Sequence, residues 1–168
     1  MRNIYLIGMM GSGKTSSGKA LAKALKMTFV DLDERIVARS GRSINAIFQT
    51  EGEPYFRNLE RELLEEAACG QNQVVGTGGG AVLDPGNRSR MKASGLVVYL
   101  KTSVDVLWDR VKHAKHRPLL QAPDPRQALS ELSAKRVPLY ESIADKMFLT
   151  DGKSPQQVAQ EIASGCIS

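Results

Sequence analysis

The chain has 168 residues, 42% of them hydrophobic and 24% charged, which suits one α/β domain with its own core and excludes a disordered chain or a small disulfide-stapled fold. Its formal charge is +5 but only 5% of its residues are aromatic, and no RNP-like or zinc-finger pattern appears. The basic balance therefore points to an arginine-lined pocket for small anions rather than to a nucleic-acid surface, and no apolar run is long enough to span a bilayer.

Ile4-Tyr5-Leu6-Ile7 is an apolar run of the kind buried in a parallel sheet. It leads into Gly8-Met9-Met10-Gly11-Ser12-Gly13-Lys14-Thr15, which fits the phosphate-binding pattern G-x-x-x-x-G-K-[ST]. A helical pattern with Leu21, Ala22 and Leu25 on one face follows. Glycines let the backbone turn tightly enough to aim its N–H groups at a polyphosphate, and the helix presents its positive end to the same anion. Lys14 supplies a mobile charge for the β- and γ-phosphates, and Thr15 supplies a hydroxyl for Mg²⁺.

Thr28-Phe29-Val30 reads as a second strand ending in Asp31-Leu32-Asp33. Alternation puts the two carboxylates on one side of a strand end, where open α/β sheets bind ligands. One acid then serves the metal and the other meets the acceptor hydroxyl, unless Asp33 only caps the helix expected over residues 34–40. A second helix is expected up to Ala68, where Glu53 and Glu60 lie four residues before and three after Arg57. That spacing lets both acids steady the arginine for a bidentate grip on a carboxylate. Phe48 and Phe56 either wall the same pocket or belong to the core.

Val74-Val75 reads as a third strand, followed by Thr77-Gly78-Gly79-Gly80. Three glycines would ruin a strand or helix interior and make sense where backbone touches a ligand closely. Asp84-Pro85 opens a helix containing Arg88 and Arg90, and Gly95 precedes a fourth strand, Leu96-Val97-Val98-Tyr99-Leu100. Residues 104–111 are helical, with Arg110 and a core Trp108. His113 and His116 lack further ligands nearby, so the proline-punctuated, basic stretch 112–124, with its exposed leucines, reads as a mobile lid rather than a metal site. A helix over 126–140, a fifth strand Met147-Phe148-Leu149 and a helix opened by Ser154-Pro155 and running to about Ala163 complete the chain. There is no internal repeat and no linker, so one domain is expected, with an acceptor-binding region at about 32–60 and the lid at 112–124. Cys69 and Cys166 form no C-x-x-C pair and read as ordinary thiols of a reducing compartment. The first strand begins almost at Met1, leaving no room for a signal peptide, so a cytoplasmic protein is expected.

Taken together, the motifs at 8–15, Asp31-x-Asp33, Gly52-Glu53-x-x-Phe56-Arg57-x-x-Glu60, Thr77-Gly78-Gly79-Gly80, Arg117-Pro118-Leu119-Leu120 and Arg136-x-x-x-Tyr140 resemble the shikimate kinases, in the nucleoside-monophosphate-kinase-like branch of P-loop kinases. The resemblance covers the whole chain. It implies a three-layer α/β/α fold with a five-stranded parallel sheet in the order 2-3-1-4-5. It implies that Gly11, Ser12, Gly13, Lys14, Thr15 and Ser16 cradle ATP, that Thr15 binds Mg²⁺ and that Asp31 helps through water. Asp33 is the implied base and contacts the shikimate hydroxyls. Arg57 and Arg136 take the shikimate carboxylate, and Gly79 and Gly80 meet the ring through backbone. Arg117 reaches the phosphates, while Arg110, Lys153 and Pro155 match adenine-contacting positions. A monomer working on shikimate and ATP is expected, with no nucleic-acid or membrane partner. Other readings are a different small-metabolite kinase such as a gluconate kinase, a GTPase-like switch, for which N-K-x-D and D-x-x-G are missing, or a nucleic-acid-binding P-loop protein.

Overall fold

The computed structural model describes residues 2–114 and 118–166. Five strands, β1 (Asn3–Ile7), β2 (Thr28–Asp31), β3 (Gln73–Gly76), β4 (Gly95–Lys101) and β5 (Lys146–Leu149), form one sheet in the order β2-β3-β1-β4-β5. All four pairings are parallel, so every strand delivers its carboxyl end to the same edge. This is the order that the resemblance implies.

The helices are α1 (Lys14–Leu25), α2 (Leu32–Ser40), α3 (Ile44–Thr50), α4 (Glu53–Cys69), α5 (Pro85–Ser94), α6 (Val104–Val111), α7 (Pro125–Ile143) and α8 (Pro155–Cys166). β1 is buried along its whole length and feeds two cores by alternation. Ile4 and Leu6 face α1 and α8, packing with Leu21, Val158 and Ile162. Tyr5 and Ile7 face the other layer, with Leu64 of α4, Met91 of α5 and Tyr140 of α7. The result is the expected three layers.

Local chemistry starts most helices. Ser43, Ser103 and Asp124 accept a backbone N–H in the first turns of α3, α6 and α7, and Pro54, Pro85 and Pro125 occupy the first turns of α4, α5 and α7. Asp84 caps α5 through the amides of Gly86 and Asn87 and also takes Arg61 at 2.7 Å.

Several boundaries differ from those read in the sequence. Helix α3 has no counterpart there, because its seven residues offer less than two full turns of periodicity; its signal is the Ser43 cap followed by Ile44, Ile47 and Phe48. Helix α2 begins at Leu32 because Asp31, not Asp33, is its cap. Helix α7 passes through Pro138 and ends at Ile143, beyond Tyr140. The proline removes one backbone bond, while Tyr140 and Ile143 bury in the core on the next turn and keep the helix going. Helix α8 likewise extends to Cys166. In the expected lid, Pro118–Gln121 form a 3₁₀ turn and Leu119 packs partly buried against the core, so this leucine is not exposed. Arg117 lies outside the described residues.

Gly95 pairs with Asn3 where β4 enters the sheet. A Cβ there would press on the Asn3 carbonyl oxygen and come within 2.7 Å of Tyr5 Cε2 and 2.9 Å of the Asn3 carbonyl carbon. Gly95→Ala should therefore cost about 1–3 kcal/mol, the usual penalty of overpacking, and lower the denaturant midpoint in a chemical unfolding curve.

Candidate active site

The carboxyl edge of the sheet holds a cleft of about 540 Å³. Its floor is the loop that leaves β1. Gly8, Gly11 and Gly13 have φ of 148°, 79° and 91°, values that a residue with a Cβ rarely adopts, so glycine is required for the loop's shape. Gly13 is the last residue before α1 and its carbonyl accepts the Ser17 amide at 2.8 Å. The amides of Lys14, Thr15 and Ser16 therefore form the open first turn of a helix, with the positive end of its dipole facing the cleft. Lys14 Nζ donates to the carbonyls of Gly8 and Met9 at 2.6 and 2.8 Å, so the ammonium arches over the loop.

Asp31 is pre-oriented twice. Its Oδ1 accepts the amides of Asp33 and Glu34 at 3.0 and 3.2 Å, and its Oδ2 accepts the Thr15 hydroxyl at 2.8 Å. A threonine whose proton is committed to Asp31 turns its lone pairs outward, as a ligand for a hard cation requires. Among the described residues no cluster of three or more His, Cys, Asp or Glu makes a protein-only metal cage. Mg²⁺ keeps water and phosphate oxygens as ligands, so one hydroxyl backed by one carboxylate fits it.

The adenine-contacting positions expected from the sequence, Arg110, Lys153 and Pro155, line the same cleft. Arg110 is fixed by a 2.9 Å bond to the Gly11 carbonyl, and Lys153 pairs with Glu161 at 2.8 Å. Thr77 and Thr150 also border the cleft and were not read as site residues. Thr77 Oγ1 donates to the Leu6 carbonyl at 2.9 Å, tying the end of β3 to the end of β1. That tie joins residues 71 apart in sequence, and nothing local signals it.

On the acceptor side, the glycine triplet runs between charged groups. A Cβ on Gly78 would lie 2.7 Å from Glu60 Oε2 and 3.2 Å from Asp33 Oδ1. One on Gly79 would lie 3.1 Å from an Arg136 terminal nitrogen, and one on Gly80 would lie 2.7 Å from the Arg57 guanidinium carbon. None of the three has a positive φ, so close approach, not backbone freedom, explains them. Gly79 also nears the phosphate loop, 3.5 Å from the Met10 amide nitrogen on the same measure. Asp33, Arg57, Gly79, Gly80 and Arg136 therefore meet in one place.

Arg57 is held as its spacing predicts. Glu60 accepts from it at 2.9 Å and Glu53 at 3.3 Å. The two bonds are unequal: the Glu53 side chain is 58% exposed and that of Glu60 only 1%, so screening weakens the first but not the second. Burial pushes the Glu60 carboxyl above its ordinary value, while the Arg57 charge and hydrogen bond pull it back. Glu60 Oε2 and Arg136 Nε are both buried with no hydrogen-bond partner among the described residues. Phe56 is core, its ring 5.2 Å below the Arg57 guanidinium carbon, and half-buried Phe48 packs on Phe56 at 4.8 Å.

The family model for shikimate kinase matches residues 10–166. A shikimate kinase of Xylella fastidiosa is 46% identical over 160 residues, 95% of this chain and 89% of the relative. One from Pasteurella multocida is 47% identical over 162 residues, 96% of this chain and 93% of the relative. A solved shikimate kinase from Acinetobacter baumannii in complex with shikimate superposes with a TM-score of 0.96 at 40% identity, covering 99% of this chain and 93% of that one.

Gly80→Ala should displace the Arg57 guanidinium from Glu60. We expect the apparent affinity for an anionic acceptor to fall about tenfold, the loss of one charge-assisted hydrogen bond, with little change in thermal midpoint. Steady-state kinetics and a melting curve on the same sample check it.

Proposed function

The chain belongs to the shikimate kinase family, and on that premise we propose that its cleft passes the γ-phosphoryl group of ATP to the 3-hydroxyl of shikimate, giving shikimate 3-phosphate and ADP on the way to chorismate. The observation that carries this reading is the convergence of Arg57 and Arg136 on Gly79 and Gly80, beside Asp33 and within reach of the phosphate loop. Two guanidinium forks on one side of a hydroxyl-facing carboxylate suit an acceptor with both a carboxylate and ring hydroxyls. Gluconate also has both, but an open chain gives no reason for a flat, Cβ-free strip of backbone opposite them.

The chemistry follows from charge. Phosphoryl transfer through a loose transition state needs alignment and charge neutralisation more than covalent assistance. The first-turn amides of α1 and Lys14 hold the β- and γ-phosphates. Arg110, Lys153 and Pro155 border the base. Thr15, backed by Asp31, would hold Mg²⁺, which would supply charge neutralisation for the transferring phosphoryl group. Asp33 accepts the acceptor hydroxyl's hydrogen bond, orients its lone pair in line with the γ-phosphorus and takes its proton as the bond forms. Arg57 and Arg136 anchor the far side of the ring, so that binding energy spent on the carboxylate aligns the hydroxyl. Arg117, with the lid at 112–124, is assigned to the phosphates from its sequence motif. No helix of the described residues is long and apolar enough to cross a membrane. A cytoplasmic monomer with no nucleic-acid partner completes the proposal.

ADP release measured with and without shikimate tests the function: turnover should need shikimate and fail with gluconate. Arg57→Ala and Arg136→Ala should each raise the shikimate KM at least tenfold, since a hydrogen bond between charged groups is worth about 1.5–3 kcal/mol, and leave the ATP KM near its original value. Asp33→Asn should keep ATP binding and lower kcat by roughly 10²–10⁴, the usual contribution of a positioned base. Loss of ATP affinity instead would move Asp33 to the metal side of the cleft.

A further inference from the structure

Tyr140 is fully buried on α7, one turn after Arg136, and the mechanism above gives it no task. Its ring stacks on Tyr99 of β4, centroids 5.1 Å apart and planes 29° from parallel. Its hydroxyl leaves that stack and reaches the glycine triplet, donating to the Gly79 carbonyl at 2.6 Å. The Arg136 guanidinium lies against the same strip: a Cβ on Gly79 would be 3.1 Å from one of its terminal nitrogens. Met9 Sδ of the phosphate loop lies 3.7 Å from the Tyr140 hydroxyl oxygen. Burial holds the phenol well above its ordinary pKa, so it keeps its proton across the working range.

One oxygen thus touches both the glycine triplet and the phosphate loop. Fixing the Gly79 carbonyl fixes the whole 79–80 peptide plane, and with it the Gly80 amide, which a trans peptide aims the opposite way. The Arg136 fork rests against that strip, and its Nε has no partner among the described residues, so the position of the strip bears directly on how the guanidinium sits. The side chain is otherwise long and free to rotate.

We propose that Tyr140 is a positioning residue for the acceptor: by holding the Gly79 carbonyl, its hydroxyl sets the Gly79–Gly80 backbone against the Arg136 fork so that carboxylate and ring are gripped in register. The inference rests on the reading of Arg136 as a carboxylate ligand. It makes the Tyr140 hydroxyl matter to shikimate binding and not to ATP binding, although Tyr140 itself touches neither.

The test is Tyr140→Phe, which keeps the ring in its stack and removes only the oxygen, measured beside Arg136→Ala and the double variant. The shikimate KM of Tyr140→Phe should rise roughly tenfold, the upper end for losing one neutral hydrogen bond, with the ATP KM unchanged and kcat reduced less than KM is raised. In the double variant the Tyr140 change should add little to the loss from Arg136→Ala, because the two meet at the same stretch of backbone. An unchanged shikimate KM in Tyr140→Phe, a penalty that adds in full to that of Arg136→Ala, or an equal loss for both substrates would overturn the proposal. So would a Tyr140→Phe chain that no longer folds, since the hydroxyl would then serve stability. If Arg136→Ala itself leaves the shikimate KM unchanged, the carboxylate reading fails first; if only Tyr140→Phe is silent, this inference alone fails.

Discussion

The acceptor half of the cleft depends on one steric constraint: three consecutive residues without a Cβ, packed among four charged side chains. Glu60 and Asp33 crowd Gly78, Arg136 crowds Gly79 and Arg57 crowds Gly80. A methyl at any of the three positions would push a charged group from its partner. The strip lets two anions and two cations approach one stretch of backbone from different elements, α2, α4 and α7, without touching each other in the wrong pairs. Like charges at such distances repel strongly in a partly desolvated site, and interleaving backbone between them limits that cost.

Burial then ranks the interactions. Glu53 and Glu60 both bond Arg57, yet only Glu60 is taken out of water. A buried carboxylate held by a single arginine is expensive to break and has little reason to move, so Arg57 inherits its geometry from Glu60. Among the described residues Arg136 makes no such ion pair. It lies against Gly79, whose carbonyl takes the hydroxyl of Tyr140, one turn on along the same helix and anchored in the core by an aromatic stack. The two arginines thus flank the same glycine strip with different supports, one ionic and one from the packed interior.

The nucleotide half obeys a different constraint. Three left-handed glycines shape the loop, and the helix after it leaves its first amides open. Thr15 and Asp31 connect that loop to β2, and Thr77 connects the end of β3 to β1. Because every pairing is parallel, the loops after β1, β2 and β3 share one edge, and a phosphoryl group and its acceptor meet without any long-range rearrangement of the sheet.

Much of this was legible in the sequence, and the reason is local. The phosphate loop is a contiguous pattern, the strands are short apolar runs, and the grip of Glu53 and Glu60 on Arg57 follows from helical spacing alone. The strand order came with the whole-chain resemblance, since periodicity gives only the alternation of elements. Tertiary structure decided what no local pattern encodes. It made Asp31 rather than Asp33 the cap of α2, because the cap is chosen by where the strand's carboxylate points once β2 is paired. It formed α3, too short to announce itself by period. It carried α7 through Pro138, because burying Tyr140 and Ile143 outweighs one lost backbone bond. It also brought the Tyr140 hydroxyl to Gly79, 61 residues away in the chain, a contact that exists only after two layers have packed against the sheet. Residue types and spacing told which groups the chemistry needs; only packing told which of them hold the others in place.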